Sequence, residues 1–247
     1  MSLVKCSDIV FPKLISRMGI KWQALKKWDG NYFIRKVPNH EFLVSFYSSD
    51  VSYLDSAYKN LKKMRTTEFV KKLSSEQVDS FAAEESTGLI FTHTDLIKDL
   101  DFFKPILSGE VGERMISLWW SSKNKVTDWH TDNIPLVLCQ IKGTKTIKLL
   151  SPENEADIKP ITARDFMKRL ISLGWDKSDA YQEVQSTRFA DKKAFFENSQ
   201  SQNILSYELS PGDCIYIPKG WWHATRAEEE SMAINFEVFE SDQLNLG

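Results

Sequence analysis

Val126-Thr-Asp-Trp-His-Thr-Asp-Asn133 is the stretch from which the rest of the chain can be read. In an extended strand, side chains i and i+2 point to the same face. His130 and Asp132 therefore aim an imidazole and a carboxylate at one point. Such a pair arises often by chance and by itself specifies little. A second histidine on a facing strand would complete a three-donor face with open positions, the arrangement suited to non-haem Fe(II). Of the four histidines, His40 and His93 stand in no ligand-like pattern and read as surface or structural. His223 ends Pro211-Gly-Asp-Cys-Ile-Tyr-Ile-Pro-Lys-Gly-Trp-Trp-His223 and is the candidate third donor.

Working outward, six short apolar runs follow Arg114: Met115–Trp120, Leu136–Ile141, Lys145–Leu150, Ile204–Leu209, Cys214–Ile217 and Met232–Phe239. Turn chemistry separates several of them, at Lys142-Gly143, Ser151-Pro152, Ser210-Pro-Gly-Asp213 and Pro218-Lys-Gly220. Many short strands punctuated in this way predict a mainly β sandwich or small barrel. Glu153–Gln202 interrupts them with a long charged stretch, read as a partly helical insertion near the barrel mouth. Within it Thr162 caps a helix, Asp165 lies three residues on, Gly174 ends it, and Phe166, Leu170 and Leu173 form its buried stripe.

Residues 1–110 read as an N-terminal helical or mixed cap, with the strand core over 111–240 and the whole of 1–247 as a single domain. Trp22–Trp28 has apolar residues at 22, 25 and 28, a short helix with one packed face. Glu41–Tyr47 is a strand, and Thr67 caps a helix over Glu68–Leu73. Gly88–Thr92 reads as another strand, and Asp95–Leu107 as helix or irregular buried chain. The lysines at 59, 62, 63, 71 and 72 read as a solvated face.

Hydrophobic residues make up 42% of the 247 and aromatics 12%, enough for a sizeable core, and the net charge is -2. Acids and bases so nearly balanced give no electrostatic reason to propose a nucleic-acid partner. Cys6, Cys139 and Cys214 are too few and scattered for a disulfide framework, and Cys139 and Cys214 fall in apolar runs as buried thiols. No apolar run is long enough for a signal peptide or a membrane span. A soluble intracellular protein, cytoplasmic or nuclear, is expected.

Three further residues bear on the chemistry. On a strand over Lys145–Leu150, Lys145 shares a face with Ile147 and Leu149. It either snorkels to solvent beside the turn or faces inward towards an anionic ligand. Asn235 shares a face with Ala233, opposite Ile234, Phe236 and Val238, and is either a structural amide or a ligand contact. Thr127, three residues before His130, reads on its own as a strand-end threonine.

Taken together, Val-Thr-Asp-Trp-His-Thr-Asp132, Cys-Gln-Ile-Lys-Gly-Thr-Lys145, Leu-Ser-Pro152, the Pro211–His223 block and Ile-Asn-Phe236 resemble the cupin-like JmjC oxygenases. The resemblance runs over roughly residues 20–240 and is strong over 115–152 and 204–239. It implies a double-stranded β-helix (a jelly roll) that binds Fe(II) and 2-oxoglutarate. It implies His130, Asp132 and His223 as metal ligands, and Thr127 and Lys145 on the distal carboxylate of 2-oxoglutarate. Asn235 is implied near the carboxylate that chelates iron. It further implies hydroxylation of a protein side chain, with RNA, methylated protein or a small molecule as alternative substrates, and a catalytically silent binding module as the reading from a different class. Relatives with added C-terminal helices dimerise through them, so a monomer is expected here. Two departures stand out: Leu136 where many relatives have asparagine, and Ile90-Phe91 where many place a tyrosine on an upstream strand.

Overall fold

The computed structural model describes residues 3–17, 19–47, 61–75, 80–84, 87–100, 116–190, 202–239 and 241–245. The strands, in chain order, are β1 (Leu3–Lys5), β2 (Lys13–Ile15), β3 (Glu41–Tyr47), β4 (Leu61–Arg65), β5 (Ser80–Glu84), β6 (Ile116–Ser121), β7 (Val126–Asp132) and β8 (Leu136–Lys142). They continue with β9 (Lys145–Leu150), β10 (Thr187–Phe189), β11 (Leu205–Leu209), β12 (Cys214–Ile217), β13 (Trp222–Ala227), β14 (Ser231–Glu237) and β15 (Gln243–Asn245). The α-helices are α1 (Gln23–Lys27), α2 (Gly30–Lys36), α3 (Thr66–Leu73), α4 (Thr87–Thr92), α5 (Thr94–Asp99), α6 (Ala163–Ser172) and α7 (Lys177–Ser186).

Among the described residues, β7, β9, β10, β11 and β13 form a five-stranded sheet in the order β10-β7-β13-β9-β11. An eight-stranded sheet has the order β2-β12-β8-β14-β6-β5-β3-β4, and β1 pairs with β15 apart from both. All recorded pairings are antiparallel. The fold is mainly β, a jelly roll of two sheets, as the short punctuated runs lead one to expect. The inner faces meet in one apolar cluster: Leu136 and Leu138 of β8 and Ile215 and Ile217 of β12 pack with Ile147 and Leu149 of β9. Burying each such side chain contributes about 1.5–3 kcal/mol.

Outside the large sheet lies a second, larger core. Trp120 is fully buried there, with ring centroids 5.0 Å from Phe33 of α2 and 5.2 Å from Phe69 of α3. Trp22 and Trp28, flanking α1, are buried in the same cluster. Asp99 staples this layer: its carboxylate accepts from Lys27 Nζ at 2.7 Å, from Trp28 Nε1 at 3.2 Å and from the Tyr32 hydroxyl. Burial and the Asp99 carboxylate together push the Tyr32 hydroxyl's pKa above its ordinary value.

Several expectations are corrected. Gly88–Thr92 is not a strand but lies in α4, with Leu89 and Ile90 buried. A short apolar run has no period long enough to separate strand from helix, and here packing against β6 decides. Ile90-Phe91 therefore does not occupy an upstream barrel strand, and the comparison with a strand tyrosine does not apply. The helix expected from a Thr67 cap starts at Thr66, with the Glu68 carboxylate accepting from the Arg65 N–H at 3.3 Å. The N-terminal segment is mixed: β3 is the strand expected over Glu41–Tyr47, and β4 and β5, which were not expected, extend the large sheet with it, β5 being joined to β6 through Ala82↔Ser121. Strand ends shift by a residue or two, as they generally do: β11 starts at Leu205 and β14 stops at Glu237. Residues 101–107 and 191–201, and Met115, lie outside the described residues.

The insertion is helical where expected. The Thr162 hydroxyl accepts from the Asp165 N–H at 3.1 Å, and Phe166 and Leu170 are buried, while Leu173 is only half-buried. What the sequence did not signal is its return: β10 pairs with β7 and places Phe189 directly opposite His130.

Candidate active site

His130 and His223 are cross-strand partners on β7 and β13, with ring centroids 4.1 Å apart. Asp132, two residues along β7, brings Oδ2 to 3.5 Å from His223 Nε2. One donor atom from each of His130, Asp132 and His223 lies within 4.8 Å of the others. The turn before β13 is tied to the same strand, since the Gly220 N–H donates to the Asp132 carbonyl at 3.0 Å.

The tautomers suit a metal. His130 Nδ1 lies 2.8 Å from the Asp128 carbonyl, and His223 Nδ1 lies 3.1 Å from the Trp221 carbonyl. A carbonyl oxygen only accepts, so each Nδ1 carries a proton, and Nε2 is the ring atom left to meet a metal. Burial pushes the His130 pKa well below its ordinary value, with His223 adding to the effect, so the ring is neutral. Burial raises the Asp132 carboxyl, with His223 opposing. Two imidazoles and a carboxyl held on one face, with no fourth donor grouped with them among the described residues, fit an iron(II) ion that must keep positions open.

These residues stand in a cavity of about 580 Å³ that also receives Thr127, Lys145, Thr225 and Asn235. Thr127 and His130 are three residues apart, so an unbroken strand would send them to opposite faces. The pairing of β7 with β13 slips here: His223 faces His130, yet Thr225 faces Thr127. The extra residue on β7 is a β-bulge, and it turns both side chains inward. No spacing rule applied to the sequence would have found it.

Lys145 is 6% exposed, so it does not snorkel away. Gly143, at φ +69, makes the turn that starts β9, and a Cβ there would meet the Glu230 carbonyl at 2.2 Å. No described residue gives the Lys145 ammonium a hydrogen bond or an ion pair. Burial, aided by the charge of Lys125, lowers its pKa to about 7. A buried cation without a described partner at one end of a cavity, and a donor triad at the other, fits a small acid carrying two anionic groups. Asn235 lines the same space on β14, and no described residue hydrogen-bonds its amide. Leu136 is 7% exposed and lines the cavity with Leu138 and Ile217, so that wall offers no polar contact.

Sequence reading missed several lining residues. Ser117 and Trp119 come from β6, Glu237 from β14, Glu183 from α7 and Phe189 from β10. Ser117, Trp119 and Glu237 lie in runs read as strands, but which face turned towards the histidines was not legible, and α7 and β10 were not read as elements at all.

The family model described as Cupin-like domain matches residues 10–237. The chain belongs to this family. Several of its relatives carry Jumonji C or JmjC names. Jumonji C domain-containing protein 5 of Drosophila melanogaster is 26% identical over 239 residues, covering 94% of this chain and 55% of the relative. Lysine-specific demethylase 8 of Xenopus tropicalis is 26% identical over 220 residues, covering 87% of this chain and 45% of the relative. The tRNA wybutosine-synthesizing protein 4 of Neurospora crassa is 25% identical over 223 residues, covering 86% of this chain but 17% of the relative. The chain thus spans about half the length of the first two. Among the described residues of this cupin-like chain, no helix is long and apolar enough to cross a membrane.

Proposed function

We propose that this cupin-like protein is an Fe(II)- and 2-oxoglutarate-dependent dioxygenase that hydroxylates a protein side chain. One observation carries the reading: the His130–Asp132–His223 donor cluster and the buried Lys145 ammonium open into a single cavity. His130, Asp132 and His223 would hold the metal. Lys145 and Thr127 would hold the distal carboxylate of 2-oxoglutarate, and Asn235 would stand near its chelating end. Iron(II) and 2-oxoglutarate bound there supply the oxidation, in which dioxygen and the 2-oxo acid give succinate, carbon dioxide and a hydroxylated substrate.

The chain's own residues bind, orient and exclude water. Asp128 and Trp221 carbonyls hold the imidazoles in the metal-binding tautomer. Lys145 places an ammonium where burial strengthens its pull on a carboxylate. Leu136, Leu138 and Ile217 give the cavity an apolar wall. The rim beside the metal end is polar, with Asn133, Glu183, Ser186 and Glu237, and is where a substrate side chain would enter.

A protein substrate is favoured by the relative whose printed name is lysine-specific demethylase 8. The wybutosine-synthesizing relative supports RNA as the second reading. N-demethylation would be the same oxidation on an N-methyl group. We take the chain as one domain acting as a monomer inside the cell.

The test is succinate formation from 2-oxoglutarate by the Fe(II)-loaded protein, with cell extract as substrate source. Wild type is expected to form succinate and His130→Ala to form none. Protease pretreatment of the extract should remove the stimulation, whereas loss on nuclease treatment would move the reading to RNA. No succinate from wild type with extract would sink the oxygenase reading.

A further inference from the structure

Lys125 immediately precedes β7 and is 4% exposed. Its ammonium donates to Thr127 Oγ1 at 2.7 Å and lies 4.2 Å from the Tyr47 ring centroid. The Tyr47 ring is fixed in turn, its hydroxyl 2.7 Å from Ser45 Oγ. An ammonium has donors only, so Thr127 Oγ1 accepts this bond. The hydroxyl has one proton, and that proton is thereby kept for another acceptor. Thr127 lines the cavity, so the direction left open to it includes the space that Lys145 also faces.

The sheet register places the two lysines in one row. Ala227 of β13 pairs with Lys145 of β9, and the Ala227 N–H donates to the Lys125 carbonyl on the other side at 2.9 Å. Lys125 and Lys145 therefore flank the same residue, about 9–10 Å apart at the backbone by two strand spacings. The residue between them is an alanine, whose methyl leaves room above the strand. One row along, Thr127 pairs with Thr225. This end of the cavity thus has a cation on each flank and hydroxyls between them.

We propose that Lys125 is a positioning residue for the distal carboxylate of the cosubstrate, acting through Thr127 by orienting its hydroxyl proton into the cavity. This rests on the reading of the cavity as a 2-oxoglutarate site. Lys145 meets the carboxylate directly, and Lys125 turns Thr127 from a residue able to accept or donate into an obligatory donor. Its charge also makes the donated hydrogen bond stronger by polarising the hydroxyl.

The test is a double-mutant cycle read by calorimetry, on protein loaded with Mn(II) so that no turnover is needed. Lys125→Met and Thr127→Val should each weaken 2-oxoglutarate binding about tenfold or more, the loss of a hydrogen bond to a charged group. The double variant should bind within about twofold of Thr127→Val, because Lys125 has no hydroxyl left to orient. Binding of 2-oxobutyrate, which lacks the distal carboxylate, should stay within about twofold in all four proteins. Losses that multiply in the double variant, an unchanged Lys125→Met, or an equal loss for 2-oxobutyrate would each overturn the proposal. If Lys125→Met does not fold, as judged by its melting transition, Lys125→Leu, which also lacks a donor, takes its place in the same cycle with the same criteria. Wild type that binds neither acid would instead sink the cosubstrate reading itself.

Discussion

Phe189 stands directly across the sheet from His130, its ring stacked on the imidazole at 5.8 Å and 21°. The residue belongs to an insertion, yet it forms one wall of the candidate metal centre. Behind it, Phe166 of α6 packs edge-on at 5.2 Å. The insertion is thereby coupled to the site by two aromatic contacts. We expect Phe166→Ala, which does not line the cavity, to lower stability by about 3 kcal/mol. It should also weaken metal binding through Phe189, read as a changed Mn(II) affinity. An unchanged affinity in a destabilised variant would show that the insertion only packs.

Metal binding should depend on all three donors. Addition of Fe(II), Mn(II) or Co(II) to apo wild type should raise the melting temperature by mass action, and a chelator should reverse it. His130→Ala, Asp132→Ala and His223→Ala should each abolish the shift at a metal concentration that saturates wild type. A shift retained in any one of them would remove that residue from the donor set.

Lys145 makes stability and binding depend on pH in opposite senses. Its ammonium titrates near 7 in the folded protein against an ordinary 10.5. Between those values the unfolded chain holds a proton that the folded chain has released. Stability of the ligand-free protein therefore rises with pH through that window, and the cost of the buried charge is full below about 7. Lys145→Met should stabilise the apo protein, on the order of 1–3 kcal/mol at pH 6, by an amount that shrinks towards pH 10. Denaturant titrations at several pH values measure this.

A bound carboxylate reverses the preference by stabilising the ammonium. Binding of 2-oxoglutarate above neutral pH should then take up close to one proton, and affinity should fall as pH rises past about 7. Calorimetry at pH 8 in two buffers of different ionisation enthalpy reads the uptake. Equal heats in both buffers would mean that Lys145 does not meet the carboxylate.

The Asp99 staple concerns stability rather than chemistry. Asp99→Leu leaves Trp28 Nε1 and the Tyr32 hydroxyl without their acceptor in a buried site. We expect a loss of about 2–4 kcal/mol, with metal affinity unchanged once folded. Asp99→Asn, which keeps one acceptor oxygen, should lose less.

The family and the β architecture were legible early, because period-two patterns and glycine–proline turns are local and survive without knowledge of neighbours. His130 and Asp132 shared a face for that reason alone, and the Thr162 cap needed only its own turn. Gly88–Thr92 was misread because a run so short carries no period, and contact with β6 chose the helix. That β5 joins the large sheet had no local sign either: strand pairing across long sequence distances, such as Ala82↔Ser121, leaves no local mark.

From its sequence alone this protein drew its mainly β class, the donor types at 130, 132 and 223, and a lysine at 145 that could go either way. Tertiary structure decided the rest. Burial turned Lys145 inward, and a one-residue bulge in β7 brought Thr127 onto the face of His130. Pairing of β10 with β7 delivered Phe189, and the register of β13 set Lys125 and Lys145 on either side of Ala227. Each depends on which strands become neighbours and in what register, a property of the whole fold that no stretch of sequence contains.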